Sequence, residues 1–242
     1  MACFIFDGVD YANILDVASI EMPALPQTSP DLRYATGRDG ALLAGNAFQP
    51  LEITVKARLA TDTIDERDIQ RRWAEVAARM RTAEPRPLSI SEGIYRNAVL
   101  QDESPLDFKT YSAVAELKFL CPDPVAYGIE RTVTVPSGGS VTFNVGGTYR
   151  TRPKVTAQAV RNSSSNLWGI RLDGADYIHV ATGSASARAV SIDCDARTCT
   201  VAGNAAMITL DSDWLELEPG THTLAMDNGT GAATVTFRER WL

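Results

Sequence analysis

The sequence contains two histidines, and histidine is the side chain that most often transfers protons near neutral pH. His179 lies in the segment DYIHV and His222 lies in PGTHTL. Neither is near a Gly-x-Ser-x-Gly nucleophile elbow or in a His-Glu-x-x-His zinc motif. Both lie in predicted strands or strand edges, which favours a structural role and leaves ligand contact as the alternative. No catalytic residue is predicted, and the protein is not expected to be an enzyme.

Carboxylates are plentiful, but four of them lie in or beside predicted turns: Asp173, Asp176, Asp211 and Asp213. An aspartate in a turn commonly accepts hydrogen bonds from nearby backbone amides, which is the favoured interpretation. Oxygen-rich loops also suit calcium. Because no EF-hand spacing supports calcium, we predict no metal site, and we predict no cofactor.

The four cysteines are scattered along the chain, which is not the pattern of a disulfide framework. Cys194 and Cys199 flank the segment DART, so a hairpin would place them opposite each other, as a disulfide or half of a zinc site. Two small, half-buried side chains are the simpler interpretation, because a zinc signature needs a second pair of ligands. Cys3 and Cys121 are predicted to be small apolar core residues.

Three side chains of the second half could form a sugar-binding platform. Trp168 follows RNSSSN, and Tyr177 and His179 come soon after it. Exposed aromatic rings stack on sugar faces, and Asn and Asp side chains in turns hydrogen-bond to hydroxyl groups. A core tryptophan is the commoner case in a β-sandwich, so both interpretations stay open, with the core favoured.

Composition restricts the classes of partner. The chain has 242 residues and a net charge of −7, with an isoelectric point near 4.9. Before residue 129 there are 13 basic and 19 acidic residues, against 10 and 11 after it. Proteins that grip nucleic acid need clustered Lys and Arg, so specific DNA binding is not expected. No apolar run approaches the ~20 residues that span a bilayer, so neither a membrane partner nor a signal peptide is predicted.

Residues 1–128 have the pattern of a β-rich α+β domain with one amphipathic helix. The segment LEITVKARL alternates apolar and polar residues and predicts a strand. A capping box at Thr63 to Glu66 and an apolar stripe through Trp73 predict a helix over residues 63–82. Prolines make residues 23–31 a loop or an edge segment, and Asp39-Gly40 predicts a tight hairpin turn.

Beyond residue 128 the pattern changes to many short strands with turn signals about every ten residues. This spacing predicts a β-sandwich over residues 129–242. The prolines at positions 122 and 124 stop the last strand of the first domain and mark the boundary. The predicted fold class is therefore mainly β, of α+β type, in two domains.

Two short motifs and their order resemble the distal tail protein family of long, non-contractile-tailed bacteriophages, also called siphophage tail component proteins. The first motif is the Gly-Arg-Asp-Gly turn at residues 37–40. The second closes the first domain and consists of Phe119, Cys121, Asp123, Pro124 and Tyr127. The motifs lie roughly 80 residues apart, and the sandwich, with its terminal aromatic strand, resembles the family more loosely.

The resemblance implies a structural protein that forms a homohexameric ring in the virion, at the distal end of the tail. The first domain would build the ring, and a galectin-like sandwich, similar to a carbohydrate-binding module, would project from it. One ring face would dock on the tail tube protein. The other would receive the tail tip or baseplate, including tail-associated lysin or receptor-binding proteins. Synthesis is expected in the host cytoplasm.

Within that scheme, Arg38, Asp39 and Gly40 are the candidate ring-interface residues, because an arginine at a hairpin tip can anchor a subunit interface. The acidity of the first half suggests a negative or neutral lumen, through which DNA passes without specific binding. The alternative function is a monomeric carbohydrate-binding sandwich that recognises the host surface. Oligomeric state distinguishes the two.

Overall fold

The computed structural model describes residues 3–60, 66–101, 106–109, 112–183 and 185–242. The chain divides into two compact units, residues 1–127 together with residue 242, and residues 128–241. Strands dominate both, and the one α-helix of the described residues lies in the first unit, which confirms the predicted fold class. Within the described residues, no helix combines the length and the apolar character needed to cross a membrane.

The first unit contains ten strands, a 3-10 helix at Tyr11–Asn13 and the helix α1 at Glu66–Met80. Its strands are β1 (Ile5–Phe6), β2 (Val9–Asp10), β3 (Asp16–Glu21), β4 (Thr28–Tyr34), β5 (Ala41–Phe48), β6 (Leu51–Ala60), β7 (Arg86–Ser91), β8 (Ile94–Leu100), β9 (Leu106–Lys109) and β10 (Ser112–Cys121).

Strand β6 is the centre of the first unit. It pairs antiparallel with β3 on one side and with β10 on the other. Its alternate residues from Leu51 to Leu59 are buried, as are the residues of β10 that lie opposite them. The alternation that predicted this strand therefore gives the sheet one apolar face and one polar face.

Helix α1 covers the apolar face. Ile69, Trp73, Val76 and Met80 recur every three or four residues, are buried, and belong to the same cluster as Ile53 and its neighbours. The predicted apolar stripe is confirmed. The start of the predicted capping box, Thr63 to Asp65, lies outside the described residues.

The segment that resembles the family motif ends the first unit with side-chain contacts. The ring of Phe119 is buried against Phe6, with ring centres 5.1 Å apart. Asp123 accepts hydrogen bonds from the Val125 amide at 3.0 Å and from the Tyr127 hydroxyl at 2.6 Å. These contacts fix the chain at the prolines where the sequence predicts the first domain to stop.

The second unit consists of strands joined by short loops. They are β11 (Ala126–Val135), β12 (Ser140–Val145), β13 (Lys154–Ala159), β14 (Leu167–Leu172), β15 (Asp176–Ala181), β16 (Arg188–Asp193), β17 (Thr198–Val201), β18 (Asn204–Ala206), β19 (Gly220–Asn228) and β20 (Ala233–Trp241).

Two antiparallel sheets enclose the core of this unit. One contains the order β18-β17-β16-β13-β20-β11, and the other has the order β12-β19-β14-β15. Val155 and Ile192 from the first sheet share one buried cluster with Trp168, Ile170 and Leu224 from the second. The arrangement is that of a β-sandwich.

Candidate functional site

Strands β4 and β5 form a separate two-stranded sheet, inserted between the neighbouring strands β3 and β6. We call residues 25–48 the arm. Every residue of β4 and β5 except Ala41 is exposed. Of the thirteen large hydrophobic side chains that are exposed in the described part of the chain, six lie in the arm. An isolated two-stranded hairpin is marginally stable in water, so a surface that covered the arm would stabilise it.

The candidate interface residues Arg38, Asp39 and Gly40 lie at the exposed tip of the arm. The predicted hairpin is present, but its loop spans residues 35–40 and is wider than a two-residue turn. The positive φ angles are at Gly37 (80°) and Gly40 (83°), not at Asp39. The prediction of a tight turn centred on Asp39-Gly40 is therefore wrong. The chain reverses through a wider loop, in which Gly37 and Gly40 adopt the positive φ angles.

The face of the first-unit sheet opposite the helix carries charge pairs across its strands. Arg58 of β6 contacts Asp16 of β3 at 2.5 Å, and Lys56 contacts Glu21 at 2.7 Å. Lys56 also lies directly opposite Glu116 of β10, and its pKa is raised, mainly by the hydrogen bond to Glu21. Two cationic groups of this face, those of Lys56 and Arg58, are therefore held by carboxylates.

Strand β3 ends this sheet on one side. On the other side, β10 pairs with β9 along its first residues and with β8 at Phe119 and Leu120, and β9 has a free edge. Strand β3 pairs with β6 alone among the described strands, and β9 pairs with β10 alone. An unpaired edge presents a row of backbone donors and acceptors, which is a template for pairing with another chain. Together with the arm, these edges are the surfaces of the first unit that are suited to self-assembly.

The three candidate sugar contacts do not form an exposed platform. Trp168 is 0% exposed and packs in the sandwich core, so its indole offers no face to a sugar. Tyr177 is half-buried, and the guanidinium of Arg171 lies 5.4 Å from its ring centre. His179 is 6% exposed. The alternation along β14, with Trp168 in phase with Ile170 and Leu172, is the signal that assigns Trp168 to the core.

His179 belongs to a polar network on the outer face of the four-stranded sheet. Its Nε2 lies 2.5 Å from Oδ2 of Asp227, and Arg171 contacts the other carboxylate oxygen at 2.8 Å. The Tyr177 hydroxyl donates a hydrogen bond to Asp211 at 3.1 Å. The network ties β15 to β14 and β19. Asp227 was missed by the sequence analysis, because its role depends on a pairing between distant strands.

His222 is held at both ring nitrogens. Nδ1 lies 2.6 Å from Oδ2 of Asp173, and Nε2 lies 2.7 Å from the carbonyl oxygen of Glu218. Burial lowers the pKa of His222, but these two acceptors raise it more, so the net shift is upward. Burial acts in the opposite direction on Asp173 and raises its pKa. The hydrogen bonds from the Thr223 amide and from His222 lower the pKa of Asp173 more, so its net value lies below the usual one.

All four cysteines have free thiols. Cys194 and Cys199 are buried in the sandwich core, and Cys121 is buried in the core of the first unit. Burial raises the pKa of Cys121 to about 11 and that of Cys194 to about 12. The disulfide considered for Cys194 and Cys199 is absent from this structure.

The predicted turn aspartates have different partners. Asp211 accepts from Tyr177, and Asp173 accepts from the Thr223 amide at 2.7 Å, fifty residues along the chain. The contact of Asp173 with Thr223 joins residues far apart in the sequence, so this carboxylate oxygen of Asp173 does not form a local Asx turn. In the described ranges, no three or more His, Cys, Asp or Glu side chains are grouped closely enough to hold a metal ion.

Comparisons with known proteins agree with this architecture. The family model described as the siphovirus-type tail component, C-terminal domain, matches residues 146–241. The distal tail protein of Bacillus phage SPP1 is 26% identical over 250 residues, which cover 98% of this chain and 94% of that protein.

Solved structures share the fold. The crystal structure of the SPP1 Dit protein, described as a paradigm of the hub adsorption apparatus in phages that infect Gram-positive bacteria, aligns with a TM-score of 0.81. The alignment covers 100% of both chains at 20% identity. A chain of the phage p2 baseplate in its activated conformation aligns with a TM-score of 0.50 at 8% identity, over 98% of this chain and 97% of that one.

The family resemblance on residues 37–40 and 119–127 is thus joined by a family model over the second unit and by a fold match over the whole chain. Residues 146–241 match the siphovirus-type tail component domain, and the chain as a whole is similar to a distal tail protein, which supports a structural role in the distal tail.

Proposed function

We propose that this chain assembles with copies of itself into a closed ring that forms the hub of the distal tail. The resemblance gives six subunits. One face of the ring joins the tail tube protein, and the other receives the tail-tip or baseplate proteins that contact the host. The role is mechanical, and it requires a stable cyclic interface rather than a catalytic site.

The arm is the observation that carries this proposal. Leu32, Tyr34 and Leu43 are 47%, 80% and 63% exposed in the single chain. Side chains of this size are rarely left in water as a contiguous set unless the surface is an interface. In a ring, each arm would be covered by the next subunit, and the repeated contact would close after one turn.

The free edges of β3 and β9 support the same geometry. Pairing of β3 of one subunit with β9 of the next would join the sheets of neighbouring subunits into a barrel and would cover these two edges. Helix α1 covers one face of each sheet, and a helix inside the barrel would fill it. The charged face, with Asp16, Lys56 and Arg58, would therefore line the channel.

The charge of that face suits the passage of DNA. Lys56 and Arg58 are held by Glu21 and Asp16, so few cations remain to bind phosphate groups. On β3, β6 and β10 this face carries four acidic and three basic residues, namely Asp16, Glu21, Glu52 and Glu116, and Lys56, Arg58 and Lys118. A channel lined in this way would let DNA pass without holding it.

Light scattering coupled to size exclusion tests the proposal. The intact chain of 26.2 kDa is expected to elute as a species of about six subunits, or of two stacked rings, at micromolar concentration. A matched variant in which residues 28–48 are replaced by a short Gly-Ser linker removes the arm, and it is expected to elute as a monomer. A monomeric intact chain at every concentration would contradict the proposal.

A further inference from the structure

The register of the arm gives it two chemically different faces. Leu32 of β4 lies opposite Leu43 of β5, and Tyr34 lies opposite Ala41. Because residues opposite each other share a face and alternate residues of a strand do so as well, Leu32, Tyr34 and Leu43 form one side. Phe48, which is opposite Thr28, lies on the same side. We call this side the apolar face of the arm.

The other side of the arm is polar. Asp31 and Arg33 of β4 form an ion pair of 3.8 Å there, and the partner of Arg33 is Leu42. The irregularity between Asp31 and Leu32 is accommodated in β5, so the two faces stay separate along β4. The arm is thus amphipathic, and a partner must cover one side of it rather than only its tip.

A groove with an apolar floor and charged residues along α1 lies between helix α1 and the 3-10 helix of the first unit. Its volume is about 340 Å³. Its floor consists of the buried side chains of Tyr11, Leu59 and Val76. Ile14 also lines it and is 39% exposed. Among the described residues before position 128, and apart from residues 22–48, the exposed large hydrophobic side chains are Val9 and Ile14, and both lie beside the 3-10 helix.

We propose that the apolar face of the arm of one subunit docks in the α1 groove of the next. The arm does not cover the groove of its own chain, because Ile14 beside the groove and the residues of β4 and β5 are exposed in the single chain. Seven residues of β4 reach about 20 Å at ~3.4 Å per residue, which is far enough to cross a subunit boundary. This inference rests on the proposed ring, and it identifies the contact between neighbouring subunits of that ring.

Charges at the groove agree with an arm as the occupant. Arg72, Glu75 and Arg79 of α1 line the groove, and Arg72 is paired with Asp68 at 2.9 Å. The tip of the arm carries Arg38 and Asp39. The tip and the groove would therefore each present charges of both signs to the other. Burial of the leucine and tyrosine side chains supplies the affinity, and the charges fix the orientation of the arm.

Disulfide trapping tests the contact. In a Cys3→Ser background, the remaining native thiols are buried. Leu43→Cys is combined with Ile14→Cys, and the oxidised protein is separated on a non-reducing gel. The matched control combines Leu42→Cys with Ile14→Cys, which places the thiol on the polar face one residue away. Both pairs change exposed residues, and circular dichroism checks that both variants fold.

The Leu43 pair is expected to give a ladder of covalent oligomers with at least tenfold more product than the Leu42 pair. If light scattering shows rings but the two pairs give equal yields, the arm docks elsewhere or the groove has another occupant, and this inference is wrong while the ring stands. If the protein is a monomer and no ladder forms, both the inference and the proposed ring are contradicted.

Discussion

The imidazole of His222 and the carboxylate of Asp173 join strand β19 to the turn that follows β14, with 2.6 Å between Nδ1 and Oδ2. The second ring nitrogen faces the carbonyl oxygen of Glu218 at 2.7 Å. Both nitrogens thus face acceptors, and the doubly protonated imidazolium satisfies both. This explains why the pKa of His222 is raised although the ring is largely buried.

The pair predicts a pH window for the stability of the second unit. Because the folded pKa of His222 lies above the unfolded value of 6.5, its contribution is complete below that pH and is lost as the pH rises through the folded pKa. The pKa of Asp173 lies below 3.8 when folded, so its contribution is complete above 3.8 and is lost as the pH falls through the lower value. The pair stabilises most between these limits.

We expect His222→Gln to lower the free energy of unfolding by about 1 kcal/mol near pH 5.5. This corresponds to roughly 4 °C in Tm, measured by thermal unfolding. The difference from the natural chain is expected to shrink as the pH rises above 7. A difference that is constant from pH 5 to pH 9 would show that the charge of His222 plays no part.

Gly169 is predicted to be intolerant of a side chain. A Cβ atom at this position would lie too close to the ring of His179 and to the carbonyl oxygen of Ile178 on the neighbouring strand. Gly169→Ala is expected to destabilise the sandwich by about 1–3 kcal/mol, because strand β15 must shift. Gly45→Ala in the arm is the control, since its Cβ would meet only Asp31 at 4.0 Å. Equal Tm values for both variants would contradict the prediction.

The thiols are predicted to react in two classes. Cys3 is partly exposed, whereas Cys121, Cys194 and Cys199 are buried, with raised pKa values. A thiol-reactive dye is expected to label about one cysteine quickly in the folded protein and all of them in denaturant, because the thiolate is the reactive form. Fast labelling of Cys194 in the native state, or a disulfide to Cys199 seen by mass spectrometry, would contradict this packing.

The charge of this face is predicted to determine whether the assembled protein binds duplex DNA. The natural chain is expected to show no retention of duplex DNA in fluorescence anisotropy. The variant Asp16→Lys, Glu21→Lys and Glu116→Lys frees the two cations and adds three, so DNA binding with a steep salt dependence is expected. The control variant carries three lysines at exposed positions outside β3, β6 and β10, namely Glu66, Glu84 and Glu92. Equal retention by the two variants would show that this face does not line a channel.

Hydrogen exchange distinguishes a free arm from a docked one. Amides of β4 and β5 are expected to exchange fast in dilute protein, where the hairpin stands alone, and at least tenfold more slowly in the assembled fraction. Amides of β6 and β10 serve as the internal control, because their strands are paired and buried within one chain. Protection of the arm that does not change with assembly would mean that it has no intersubunit partner.

In the first unit, the sequence predicted the strands and the helix whose buried residues recur at a regular spacing. The alternation from Leu51 to Leu59 and the helical stripe through Ile69 and Trp73 both appear as buried faces. The arm was only partly predicted. Pro30 indicated a loop or an edge, and it lies in β4, a strand of a two-stranded sheet whose backbone is exposed. Its two faces depend on the register against β5, which local patterns do not give.

In the second unit, the sequence predicted strands but not their partners. Trp168 could be placed from its phase with Ile170, yet both the core and the sugar-contact interpretations fitted the nearby polar residues. The partners of His179 and His222, namely Asp227 and Asp173, lie 48 and 49 residues away. Such contacts follow from the order of strands in the sheet, which a single sequence does not determine. A sugar contact at Tyr177 stays a prediction.

The most direct measurement is negative-stain electron microscopy of the largest species that the intact chain forms in solution. The account predicts class averages of a closed ring with six-fold symmetry and an open centre, in single or stacked form, and their loss when residues 28–48 are replaced by a linker. Monomers alone, open filaments, or rings that persist without the arm would contradict it.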